Sequence, residues 1–467
     1  MGNLKRISYA APFTATVTVN PLGEVSSERG DGVGGYNYSA CSYNFDVSHG
    51  DLRCCKGFKR YGVPDYPAKP LKIYFYKRFN AAGEVDDRIL FYCANKYIYD
   101  YNTITSVFNL ISGLRYDAEP EGVCYNFNGE DVMIFSDAVG NMKIYDGNNV
   151  SSVTGAPSVS SMCVHNERLF LTDGAQNNSL WFSDDFDPSN WNVSLSEAGF
   201  IDMSGYRGRL LKVISFGGYL FVFRSFGITR VTAYGDQSAF SVNDLFVSSG
   251  KIYGNSITVC GDCVLFLASD GLYRFDGLTT RRISDDYRDF IDFTFGGVKG
   301  EYYGGRAYFI LKANFEGVFD TAILTVNPKN YADYYFIRGA AAEDIAVIAG
   351  ENNYRLVILA KEKMQFLCDE SVICGTEPEK VWLSKFGDFG LKAKRKILDR
   401  VSFYTDKSAT VTVKADDKTR TFTVKGGAKK REIKPRMAGD RFSIKIKCTE
   451  AKSKVVGLRL KFTYYDE

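Results

Sequence analysis

A short apolar run returns seven times through the middle of this chain, and its spacing constrains the fold more than any other feature. The runs begin at Ile89, Val132, Leu169, Tyr219, Val264, Ala307 and Leu356. Successive starts lie 43, 37, 50, 45, 43 and 49 residues apart. A period of about 40–45 residues is the length of one four-stranded propeller blade. Most runs are followed by a second strand that alternates apolar and polar residues, as in Tyr97-Ile98-Tyr99-Asp100 and Gly271-Leu272-Tyr273-Arg274-Phe275. The first strand is covered on both faces by neighbouring blades and therefore reads as uninterrupted apolar residues. The second lies farther out, where water reaches one side. Asp-Gly and Ser-Asp pairs fall between strands, where turns need residues that tolerate the left-handed region. One blade cannot bury both its faces, but a closed ring of blades can.

The expected architecture is therefore all-β: a seven-bladed β-propeller over residues 70–386, with an irregular stretch at 300–338. Residues 1–69 read as an extended, Gly-rich N-terminal arm with ring-closing strands. Residues 387–397 read as a charged linker. Residues 398–467 read as a small basic β-sandwich, because strands such as Phe442-Ser443-Ile444-Lys445-Ile446 and Leu458-Arg459-Leu460-Lys461-Phe462 alternate strictly. Composition agrees. Aromatics make up 15% of the chain and there are 44 glycines, which favours strands and tight turns over helices.

The net charge of +3 hides an asymmetry. Residues 391–467 hold 22 Lys and Arg against 9 Asp and Glu, a balance of +13. The other 390 residues carry 36 against 46, a balance of −10. The densest basic positions are Lys392, Lys394, Arg395 and Lys396, then Lys429, Lys430 and Arg431. They read as a solvated lysine-rich surface or as a face for DNA phosphates or an acidic neighbouring subunit. No aromatics interleave with them, so stacking on single-stranded bases is not expected.

No catalytic constellation emerges, and no enzyme activity or cofactor is expected. A Ser-His-Asp or Cys-His arrangement would need His49 or His165, the only histidines, and each sits beside a turn residue and reads as a solvated loop histidine. Cys260 and Cys263 form a lone C-x-x-C without a second pair at zinc-ligand spacing. The 11 cysteines read as reduced, buried small hydrophobes in an intracellular product. Asp184, Asp185 and Asp187 precede Pro188-Ser189-Asn190 and read as a turn, not as a glycosidase carboxylate pair. Gly30 to Gly35 lacks a following helix and reads as extended arm, not phosphate loop. Trp181 and Trp191 could stack on sugars, but core is the simpler reading. There is no secretory signal pattern and no run near the roughly 18 apolar residues of a membrane helix.

Several stretches resemble a known group. Tyr43-Asn44-Phe45-Asp46 through Leu52-Arg53, then Gly57-Phe58, is similar to the segment that precedes the propeller in tailed-phage virion proteins. Leu180-Trp181-Phe182-Ser183-Asp184 with Asp187-Pro188 and Trp191, and Phe200-Ile201-Asp202 with Gly227-Ile228, resemble their blade motifs. Arg436 through Ile446 is similar to a strand of the small β-domains that end such proteins. The resemblance is to the propeller tail-hub and neck proteins of tailed bacteriophages, of the packaged-DNA stabilisation type found in short-tailed phages. It implies a structural virion protein made in the host bacterial cytoplasm. It implies a homo-oligomer, often a hexameric ring, joined to portal, adaptor and tail proteins and in non-specific contact with packaged DNA. It carries over no active site. The trailing basic domain departs from the best-known members. The alternatives are a host-surface glycan-binding propeller and, behind it, a glycosidase.

Overall fold

The computed structural model describes residues 13–19, 21, 39–62, 65–79, 83–102, 105–175, 178–349, 353–391 and 395–464. Among these the regular structure is almost wholly β, with three single-turn 3₁₀ segments. The chain forms two compact units. One comprises residues 60–323 and 340–367; the other comprises 1–59, 324–339 and 368–467.

The first unit is a β-propeller. Its apolar runs became the strands expected of them: Val264–Ala268 and Ile89–Cys93 are almost entirely buried, because sheet packs on both of their faces. Among the described residues there are six four-stranded sheets, one fewer than the seven blades expected. The remaining repeat, Ala307 to Leu311, lies in the ten-residue strand Arg306–Phe315, whose hairpins belong to a sheet of nine strands. The physical reason is strand length. Arg306–Phe315 and Val318–Asn327 run to ten residues each, so the hairpin outgrows a blade and carries the chain onward. The inner strand of that hairpin, Lys299–Tyr303, still packs between the inner strands of the sheets before and after it. The final four-stranded sheet draws its outer strand, Gly57–Arg60, from far upstream, and Tyr61 N–H donates to Met364 O at 3.0 Å just beyond it.

The second unit is a β-sandwich assembled from three parts of the chain. One layer holds Lys454–Tyr464 and Lys396–Thr405 at its centre, and Phe13–Thr18 pairs antiparallel along Lys454–Tyr464 from Phe13↔Tyr464 to Thr18↔Arg459. The other layer runs Asn330–Arg338, Ser39–Tyr43, Lys380–Ser384, Phe442–Cys448, Ala409–Ala415 and Lys418–Val424. Between them Phe45, Leu52, Trp382, Phe403, Phe442 and Phe462 form a core with at most 1% exposure. Alternation made this possible: Phe442, Ile444 and Ile446 point inward while Lys445 and Lys447 stay half-exposed. These boundaries differ from those read in the sequence. Ser39–Tyr43, from the stretch read as N-terminal arm, pairs with Lys380–Ser384, from the end of the stretch read as propeller, and Lys380–Ser384 pairs in turn with Phe442–Cys448 of the C-terminal domain. Local alternation specifies a strand's face but not its partner.

Candidate functional site

The innermost strand of each sheet in the propeller unit faces the axis, and several of these strands place a charge there. Pro70–Tyr76 contributes Lys72, Glu121–Phe127 contributes Glu121, and Leu210–Phe216 contributes Lys212. Lys299–Tyr303 contributes Lys299 and Glu301, and Ala342–Ala349 contributes Asp344. Glu119 joins them from the preceding turn. Two of these charges are embedded in apolar runs, Leu71-Lys72-Ile73 and Leu211-Lys212-Val213, and the run's burial carries them inward.

Five of these seven groups bind one another. Lys72 Nζ lies 3.3 Å from Glu119 and 3.2 Å from Glu121. Lys299 Nζ lies 2.8 Å from Asp344 and 3.8 Å from Glu119. The other carboxylate oxygen of Asp344 accepts the Ile73 N–H at 2.8 Å. Lys212 Nζ donates to the Ile257 carbonyl at 3.3 Å. Burial pushes the Glu301 and Asp344 carboxyls above their ordinary values and pulls Lys212 below its own. For Lys72 burial also opposes the charge, but Glu121, Glu119 and Asp344 together hold it above the usual lysine value. A cavity of ≈ 370 Å³ opens here, lined by Lys72, Tyr74, Glu121, Met133, Glu301 and Asp344. Two ammonium groups, Lys72 and Lys299, and three carboxylates, Glu119, Glu121 and Asp344, thus form an ion-paired network. Sequence reading missed it; the available signal was a lone charge inside an apolar strand.

The basic residues singled out in the sequence do not all lie at the surface. Lys392 and Lys394 lie outside the described residues. Arg395 is exposed. Lys396 is 1% exposed, and its ammonium donates to the Asp440 and Leu391 carbonyls at 2.7 and 3.2 Å, so it is no surface cation. Its strand pairs on both sides, Lys396↔Tyr464 and Lys396↔Gly439, and draws the residue inside. Lys429 and Lys430 are exposed on the edge strand Gly427–Ile433, while Arg431 turns back to the Gly426 carbonyl at 2.6 Å.

Other expectations also meet the structure. His165 is not solvated: it is 4% exposed, at the end of Val159–His165, with Nδ1 2.8 Å from Ser215 Oγ. Burial lowers its pKa below the ordinary histidine value. His49 is exposed. Asp184 and Asp187 brace a loop. Asp184 accepts the Glu197 N–H and the Asn190 amide, and Asp187 accepts the Ser189 N–H. Trp191 is core, its indole N–H donating to Pro188 O, whereas Trp181 stacks on Phe200 at 4.8 Å with Phe200 53% exposed. All 11 cysteines are free thiols. Among the described residues no group of three or more His, Cys, Asp or Glu is arranged to hold a metal ion. No helix among the described residues is long and apolar enough to cross a membrane.

No family model and no curated protein matches this chain. Two crystal structures of BBS1N in complex with ARL6DN are similar in outline. The one soaked with lead is 8% identical, covers 66% of this chain and 95% of that one, and has a TM-score of 0.44. The one soaked with mercury is 8% identical, covers 67% and 96%, and has a TM-score of 0.42.

Proposed function

We propose that this protein is a non-enzymatic structural subunit of a tailed-phage virion. It forms a ring in the neck or tail hub that joins portal and adaptor to tail and helps retain or conduct packaged DNA. The observation that carries this reading is the propeller axis. General acid–base catalysis needs a titratable group free to exchange a proton with substrate. Here Lys72, Lys299, Glu119, Glu121 and Asp344 are held by each other. A centre wired in this way serves rigidity. The stretches 43–61, 180–234 and 436–446 that resemble phage hub proteins support the same reading, as do the exposed Lys429 and Lys430, which suit sequence-independent phosphate contact. The finer ring geometry, six subunits to a ring, belongs to this proposal. Its test is a virion lacking the protein. Particles should package DNA and then leak it, or lack a tail; filled, tailed, infectious particles would refute the role.

A second reading has one observation in its favour. Phe200, half-exposed and stacked on Trp181, offers an apolar ring of the kind that packs on sugar faces. A glycan array separates the two, since a hub subunit should bind no glycan and a receptor-binding propeller should bind at least one.

A further inference from the structure

The outer strand of a sheet presents unpaired N–H and C=O groups, and natural proteins blunt such edges by shortness, charge, proline or bulges. Most outer strands of this propeller are blunted. Val150–Ser152 and Thr280–Arg282 have three residues each, the latter with two arginines. Gly199–Asp202 has four, and Gly57–Arg60 ends in Lys59-Arg60. Among the described residues, two outer strands are long: Val107–Arg115 with nine residues and Ser241–Val247 with seven.

Each long edge has a straight four-residue stretch before its register shifts. Val107 to Leu110 pairs in order with Asn102 to Tyr99. Ser241 to Asp244 pairs in order with Thr232 to Thr229. Neither stretch contains lysine, arginine, proline or glycine. Leu110 is 53% and Val242 44% exposed. The single charge, Asp244, is already held by Arg207 at 2.8 Å and Thr229 at 2.6 Å, so nothing on either edge repels a strand. The two edges belong to the first and fourth sheets, which are not neighbours around the ring, so they cannot meet within one chain.

We propose that the edge Val107 to Leu110 of one copy pairs with the edge Ser241 to Asp244 of the next, so that copies join by strand addition. The occupant is a second copy because the straight stretches of the two bare edges match in length and differ in place. Two-fold self-pairing would cover one edge and leave the other bare. Pairing one with the other covers both, and the contact repeats from copy to copy, giving a ring where the rotation closes and a filament where it does not. This inference rests on the reading of the protein as an assembly subunit and names its contact.

The test uses the full chain and two variants, Leu110→Lys and Val242→Lys, weighed by sedimentation velocity across a concentration series. Wild type should give species heavier than a monomer, and each variant alone should be monomeric. An equimolar mixture should stop at dimers, because each variant keeps one working edge. A wild type monomeric throughout overturns the proposal, as do variants that still assemble fully or a mixture that stays monomeric. Unchanged thermal midpoints establish that the variants fold; if Val242→Lys lowers its midpoint, Ser241→Lys takes its place. Assembly that survives both substitutions removes this contact while leaving the structural role standing.

Discussion

Asp344 accepts two bonds, from the Ile73 amide and the Lys299 ammonium, where little water reaches. Removing one partner of a buried ion pair leaves the other uncompensated, which typically costs about 3–5 kcal/mol. Lys299 keeps Glu119 at 3.8 Å, so Asp344→Ala should fall near the lower end, about 3 kcal/mol. An unchanged urea midpoint would show the network is not structural. His165 has the opposite relation to pH. Its folded pKa lies below the unfolded value, so the unfolded chain binds the proton first. The stability this histidine contributes is full above the ordinary histidine pKa of about 6.5 and is lost as pH falls through the depressed value. The urea midpoint should therefore drop between pH 7.5 and 5.5 by more in wild type than in His165→Asn. Equal drops would mean the imidazole is not excluded from water. Both residues eluded the sequence for one reason. Asn166, at φ 51°, does make the turn that the sequence indicates, yet a turn beside a histidine says nothing about which way the ring points. A lysine such as Lys72 or Lys212 inside an apolar run likewise looks like a solvent-facing position until the strand is known to line an axis.

At the scale of strands, the repeat was legible because burial on both faces leaves an unmistakable mark. Every one of the seven runs is a strand, and most are nearly inaccessible. Sheet membership was not legible at Ala307, where the same apolar signature sits in a strand of ten residues within a larger sheet. Strands drawn from far away are the weakest signal of all, and Gly57–Arg60 shows what fixes them. A Cβ at Gly57 would sit 2.1 Å from the Val372 carbonyl oxygen and 2.6 Å from that of Glu370. Those are backbone atoms of a segment to which residues 57 and 58 donate, Gly57 N–H to Glu370 O at 2.7 Å and Phe58 N–H to Val372 O at 3.0 Å. The glycine is needed for close approach, not for a left-handed turn. Gly57→Ala should push the segments apart and cost about 1–3 kcal/mol, the usual range for overpacking. Differential scanning calorimetry reads this directly, and a variant melting with the wild type would show that the chain gives way freely.

For the whole molecule, the charge asymmetry located the basic end of the chain but not the body that carries it. Residues 398–467 look self-sufficient: several alternating strands, a turn between each, an inward face of Val, Ile and Phe. The sandwich contradicts that appearance. Trp382, Phe45, Leu52 and Val17 lie in the same core as Phe442 and Phe462. Phe442–Cys448 needs Lys380–Ser384 along one side, in the register Trp382↔Ile446, and Lys454–Tyr464 needs Phe13–Thr18 and Leu52–Cys54. A fragment of residues 398–467 would therefore expose apolar core and two long unpaired edges, and small sheets in that state are marginal. Expressed alone, it should show no cooperative thermal transition in circular dichroism. Restoring residues 368–397 alone should not rescue it, because residues 13–18 and 39–54 are still missing. Only the full chain should melt with a sharp sandwich transition. A fragment 398–467 that unfolds cooperatively would mean that the C-terminal strands suffice by themselves, and that the distant strands only decorate a domain already complete.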